Sequence, residues 1–198
     1  MTKAWQAATR CWTMYRDAIQ TLSEDLSRDN WQQCLQKIES CQGNRLITGV
    51  GTSGIVARKF AHMLASIKVP AIYFNPTDAV HGELGIITRN DIVIMFTRGG
   101  YSTELDAMIP YLSAQQIPII LITENAQAPL TAWSDLTVVL PNTQESDPLA
   151  TLATTSIIQA LSLCDSICIG LMIRSNYQEQ DLLEIHPGGA VGIKLFSK

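Results

Sequence analysis

The chain has 198 residues, of which 46% are hydrophobic and 16% charged, and its formal net charge is −4. That length suits one ordinary domain, or a domain with an added arm, and it buries a core without disulfide or metal staples. The acidic balance, with no Lys/Arg cluster against it, excludes a nucleic-acid partner, and the five cysteines (Cys11, Cys34, Cys41, Cys164, Cys168) form no C-x-x-C pair and read as reduced thiols.

Residues 1–40 repeat apolar side chains at helical spacing (Trp5, Ala8, Cys11, Trp12, Tyr15, Ile19, Leu22), and Asn30 is expected to cap a second helix through Leu35 and Ile38. Lys3, Arg10 and Arg16 interrupt any signal-peptide core, so a cytoplasmic protein is expected. From Arg45 the style changes to short apolar runs at 45–50, 70–74, 91–97, 117–122 and 135–140. Helical patterns fall between them at about 53–66, 77–84 and 101–115, with a short one near 129–133. Five continuously apolar strands separated by helices predict a parallel sheet covered on both faces. A long helix over about 149–174 and a short one over 177–184 end the pattern. The long one is apolar, but Gln159, Asp165 and many Ser/Thr favour a buried helix over a membrane span. The expected architecture is a single doubly wound α/β domain, with a helical arm over 1–42 and the core over 43–198.

The stretch GVGTSG, residues 49–54, satisfies G-x-G-x-x-G after a strand and before a helix. A dinucleotide site also requires an acid at the end of the second strand, to hold the ribose. That strand ends YFNPTD, which puts Asn75 and Pro76 there, so the dinucleotide reading fails. What remains is a glycine turn with Thr52 and Ser53 at a helix N-terminus, where free N–H groups and the helix dipole favour an anion. A plain tight turn with Ser53 as N-cap is the competing reading. A second loop, TRGGYSTE from Thr97 to Glu104, repeats glycines and hydroxyls at a helix start; its competing reading is a capping box. If the first strand lies between the second and third, both loops face one crevice, where open α/β sheets bind ligands. Together they favour a small phosphorylated ligand.

Five segments in this order, GVGTSG, FNPTDAVHGELG, TRGGYSTE, ESDPLATLATTS and HPGGAVG, resemble the sugar isomerase (SIS) domain family, and within it the arabinose-5-phosphate isomerase branch. The resemblance implies a five-stranded flavodoxin-like domain that forms a dimer or tetramer and binds a sugar phosphate between subunits. It implies interconversion of ketose and aldose phosphates without a redox cofactor. Many members continue into paired CBS modules, whereas this chain stops at Lys198 and is expected to be a stand-alone isomerase domain.

Carried over residue by residue, the resemblance implies a phosphate site of Gly51, Thr52, Ser53, Thr97, Arg98, Gly99, Gly100 and Ser102. Glu145, His81 and His186 match positions that the branch uses for ligand binding or chemistry. Two charged groups differ: Thr52 stands where the branch usually has lysine, and Tyr101 where it usually has glutamate. Gly99 replaces a further serine. Arg98 is expected to restore the lost cation through its planar fork, and Tyr101 to stack on the sugar or donate a phenol.

Isomerisation needs a carboxylate to carry a carbon-bound proton and an imidazole to help open the ring. Glu145 is the expected base, with a solvated loop acid as the alternative; His186 is the expected ring-opening group, reaching a neighbouring subunit, with simple helix termination as the alternative. His81 is expected at sugar hydroxyls or in a buried structural hydrogen bond, and His62 in packing. No metal-ligand spacing such as H-E-x-x-H occurs, so no metal is expected. The competing function is a non-catalytic module that senses a sugar phosphate.

Overall fold

The structure is a computed structural model that describes residues 2–189. Its core is a five-stranded, wholly parallel sheet of β1 (Arg45–Gly49), β2 (Ala71–Tyr73), β3 (Ile92–Phe96), β4 (Ile119–Thr123) and β5 (Leu136–Val139). The order is β2-β1-β3-β4-β5, so the winding reverses between β1 and β3, as the doubly wound reading requires. Every residue of β1, β3 and β4 is buried, which is why these strands read as unbroken apolar runs.

Alternation along the strands divides the core in two. Ile47, Ile94, Ile120, Ile122 and Val138 point into a layer with Phe60, Leu64 and Ile167. That layer is built by α1 (Lys3–Asp25), α2 (Arg28–Ser40), α3 (Gly51–Ala65) and α7 (Thr155–Arg174). Leu46, Val93, Met95 and Leu121 point the other way, onto Leu105, Met108 and Leu112. Those three residues lie on α5 (Thr103–Asp106), at the N-cap of α6 (Ile109–Gln115) and on α6 itself, and these helices share this side with α4 (Pro76–Ala79). The N-terminal arm belongs to the core rather than hanging from it: Leu22, Cys34, Leu35 and Ile38 are buried in the first layer.

Helix α7 is long and apolar enough to cross a membrane by length and composition, yet it packs here as a core helix. Eight of its residues are buried. Two of its polar side chains tie it to the arm: Gln159 Nε2 donates to the Ala18 carbonyl at 2.9 Å and Ser166 Oγ accepts from Trp31 Nε1 at 3.0 Å. Asp165 pairs with Lys59.

Several boundaries differ from expectation. Ser27, not Asn30, caps α2 by accepting the Asn30 N–H at 3.2 Å, while the Asn30 side chain reaches the Thr137 carbonyl. The helix expected over 101–115 is two, because Pro110 falls in the first turn of α6 and cannot continue the hydrogen-bond ladder of α5. The segment expected over 77–84 is α4 followed by a separate 3-10 turn, Glu83–Ile86. Helix α7 begins at Thr155 rather than 149, since Asp147 captures the N–H groups of Leu149, Thr151 and Leu152 at 2.7–2.9 Å. Helix α8 (Glu179–Ile185) follows, and the end of the HPGGAVG stretch lies outside the described residues.

Candidate active site

The first loop is shaped by three glycines that do different work. Gly51 has φ +57°, the left-handed conformation that lets β1 turn at once into α3. A Cβ on Gly54 would lie 2.6 Å from the Gly49 carbonyl oxygen, so helix and strand approach more closely than any side chain permits. The glycine spacing is thus a steric demand of the turn. Asn75, where a dinucleotide site needs an acid, caps α4 by accepting the Thr77 N–H at 3.1 Å.

Ser53 is not an N-cap, because α3 starts at Gly51 with Val50 in the capping position. Val50 has no side-chain acceptor, which leaves the N–H groups of the first turn uncapped beside the Thr52 and Ser53 hydroxyls. A 15-residue helix ending in open donors is a strong place for an anion.

The second loop closes the other side. The Thr97 N–H continues the sheet, donating to the Ile122 carbonyl at 3.1 Å. Gly100 has φ +72°, and a Cβ there would lie 1.8 Å from Ala128 Cβ. The loop after β4 braces this turn: Thr123 Oγ1 donates to the Arg98 carbonyl at 2.9 Å and Asn125 Nδ2 to the Gly99 carbonyl at 3.1 Å. Tyr101 is exposed at the rim. Ser102 donates to Glu104 Oε2 at 2.7 Å rather than forming a capping box, and Thr103 adds a longer bond. Those hydroxyls hold the Glu104 carboxyl below its ordinary range.

Two adjoining depressions share Ser53, Phe96 and Thr97. The inner one, about 60 Å³, is also lined by Thr52, Arg98, Glu124 and Ser156. The outer one, about 370 Å³, adds Tyr101, Ser102, Thr103 and Glu104, and has the size of a small-molecule site.

Glu145 lies in the segment between β5 and α7, and its side chain is fully buried. Its Oε2 accepts the N–H groups of Thr154 and Thr155, both at 2.7 Å, and the Thr154 hydroxyl at 3.0 Å. Its Oε1 takes the Ser156 hydroxyl and the Arg98 Nη1, the latter at 2.7 Å. Burial alone drives this carboxyl up, but the bonds from Ser156, Thr154 and Thr155 outweigh it and hold the carboxyl below its ordinary value. This is not a solvated loop acid; it is a carboxylate anchored at the start of α7.

Arg98 departs from the expected free phosphate fork. Its Nε donates to Glu124 Oε2 at 2.9 Å, its Nη2 to the Thr143 carbonyl at 2.8 Å, and its Nη1 meets Glu145. Two buried carboxylates need a counter-ion, and this guanidinium supplies it. Glu124, absent from the sequence reading, sits just past β4 at the same carboxyl edge as both loops, and that position was its only signal in the sequence. Helix α1 also reaches the site: Cys11 Sγ accepts from Ser146 Oγ at 3.2 Å.

The histidines are not gathered here. His81 is exposed in the turn after α4, which removes the buried structural role, and His62 is exposed on α3 rather than packed. His186 caps the far end of α8, whose Asp181 and Glu184 pair with Lys68 just beyond the C-terminus of α3. Fifteen residues of α3, roughly 22 Å of helix, separate that end from Ser53's turn. Within one copy of the chain, His186 and Glu145 do not meet.

A doubly wound α/β domain with an open helix N-terminus facing a hydroxyl-rich loop, at the strand switch point, has the geometry of a small-anion site. The model for the SIS domain matches residues 38–169, and the chain belongs to that family. Arabinose 5-phosphate isomerase KpsF of Escherichia coli is 32% identical over 91% of this chain and 55% of the relative. KdsD of Shigella flexneri, also an arabinose 5-phosphate isomerase, is 30% identical over 96% of this chain and 58% of its own length. This chain therefore spans a little over half of these relatives. A candidate sugar-phosphate isomerase from Listeria monocytogenes has a crystal structure that superposes with TM-score 0.91 at 32% identity, covering 95% of this chain and all of the other. The Escherichia coli CFT073 protein c3406, solved in complex with a sugar phosphate, gives TM-score 0.89 at 28% identity over 94% of this chain and all of its own.

Proposed function

We propose that this protein is an aldose–ketose sugar-phosphate isomerase. The observation that carries this reading is the meeting of uncapped N–H groups on α3 with Ser53, Thr97 and Ser102, one wall away from the buried carboxylate of Glu145. The α3 donors and Thr52, Ser53, Thr97 and Ser102 bind the phosphate, and the loop glycines Gly51, Gly99 and Gly100 let the backbone approach it. The sugar reaches from the outer depression, beside Tyr101, to the inner one, whose Arg98 and Ser156 walls touch Glu145. Glu145 takes the proton from the carbon beside the carbonyl, leaving an enediolate, and returns it to the neighbouring carbon as the hydroxyl proton crosses between the two enediolate oxygens. The relatives' isomerase activity and the sugar-phosphate complex of the Escherichia coli CFT073 protein support this choice.

His186 enters the cleft of another copy in this reading, so the working protein is a homo-oligomer. The exposed apolar side chains Ile55, Leu149 and Leu152 support a covering subunit.

A sensing role has one observation in its favour: Glu145 is saturated with donors and held below its ordinary carboxyl value, unlike an efficient base. NMR on a panel of sugar phosphates in heavy water separates the two. The isomerase reading expects deuterium at the carbon beside the carbonyl, together with interconversion; binding without either establishes the sensor.

A further inference from the structure

The contacts of Glu145 fall into two kinds. All but one come from Thr154, Thr155 and Ser156, at the start of α7, whose body is embedded in the core. The remaining one is Arg98 Nη1, from the loop after β3 that also carries Thr97 and Ser102. Among the described residues, Arg98 is the only cation within ion-pair reach of Glu145. Its side chain is 39% exposed and joins Glu145 to Glu124, whose own Oε1 accepts from Thr143 Oγ1 at 3.2 Å.

A carboxylate oxygen offers about two lone-pair sites. Oε2 already exceeds that number, taking the Thr154 and Thr155 N–H groups and the Thr154 hydroxyl, which leaves Oε1, held by Ser156 and Arg98, as the oxygen for the proton. A proton reaches Oε1 only if one of those two withdraws. The Ser156 hydroxyl is uncharged and releases the oxygen only by turning about its own bond, whereas Arg98 is a long, half-exposed cation beside the phosphate cleft.

We propose that Arg98 is a positioning residue that gates Glu145: its guanidinium covers the lone pair that must come free for proton transfer, and the phosphate of a bound sugar phosphate draws it off. The inference rests on the isomerase reading, which makes Glu145 the proton carrier. In that step the C–H bond breaks, the proton passes to Oε1, and its electron pair moves into the enediolate. The proton then returns to the adjacent carbon while the hydroxyl proton passes from one enediolate oxygen to the other, which forms the new carbonyl and leaves Glu145 ionised again. Departure of the cation makes the carboxylate more basic at the moment of use. The other groups facing Glu145 are Glu124 from the loop after β4 and, from α1, Tyr15 and its hydrogen-bonded neighbour Cys11.

The test follows the Glu145 side-chain carboxyl by NMR in protein labelled with ¹³C-glutamate, the signal being identified by its loss in E145Q. Saturating arabinose 5-phosphate is expected to move the Glu145 midpoint to higher pH in the native protein. R98M is expected to start at that higher midpoint and to shift little further with ligand. Equal midpoints in the native protein and R98M overturn the proposal, as does a native midpoint that ligand leaves unmoved. If R98M does not fold, R98Q carries the same expectations. The readout needs no turnover, so a native protein that exchanges no deuterium defeats the isomerase reading while the carboxyl titration still decides the role of Arg98.

Discussion

Glu145 and Gly100 show how single residues carry this site. Glu145 stabilises the fold and is assigned the chemistry, and the two roles pull its acidity in opposite directions. E145Q keeps the shape but loses the charge that faces the first turn of α7 and Arg98. It is expected to cost about 1–3 kcal/mol at neutral pH, measured by urea denaturation. Because the folded carboxyl is held below its ordinary value, its contribution is complete above that ordinary value and lost as pH falls through the folded one. The gap between native protein and E145Q should therefore narrow toward acid; a gap constant with pH refutes the anchoring role. Gly100 and Gly99 make an internal comparison. G100A meets both a positive φ and Ala128, whereas nothing lies within 4 Å of a Cβ at Gly99. Thermal melts are expected to show G100A destabilised by about 2–4 kcal/mol and G99A within about 0.5 kcal/mol of native.

At the scale of elements, α3 decides what the first loop binds. Its uncapped N-terminus supplies donors and a dipole, while Glu104, Glu124 and Glu145 line or adjoin the cleft against one committed arginine. Restoring a cation with T52K is expected to tighten sugar-phosphate binding about tenfold, from one charge-assisted hydrogen bond, and to make affinity more sensitive to salt. Calorimetry at two ionic strengths checks this; affinity unchanged by T52K would mean that position 52 does not face the phosphate. Strands β1, β3 and β4 were legible because burial on both faces leaves a short apolar run bounded by turn residues. The glycine turns were legible too, since Gly51 and Gly100 answer steric demands local to the loop. What escaped the sequence was decided by long-range capture of backbone or charge. Asp147 took the N–H groups that would have extended α7, and Arg98 was claimed by Glu124 and Glu145, 26 and 47 positions away. A charge pattern along the chain does not reveal that competition.

The whole molecule poses the question of where a site begins and ends. Helix α7 starts beside Glu145 on the carboxyl edge of the sheet and runs roughly 30 Å to the opposite edge, carrying α8 and His186 with it. No rotation of one side chain spans that distance, so a site that uses both residues is assembled from two copies. Mixing tests this directly. E145Q and H186A are each expected to be inactive alone. In a mixed dimer, one cleft receives both defects and the other neither, so the second is intact. Statistical mixing of equal amounts by co-refolding should then return about a quarter of native turnover, since half the dimers are mixed and each has one working cleft. A mixture as inactive as its parents would place His186 outside the chemistry or require both residues from a single copy. The second requirement conflicts with the length of α7, so the failure would fall on His186.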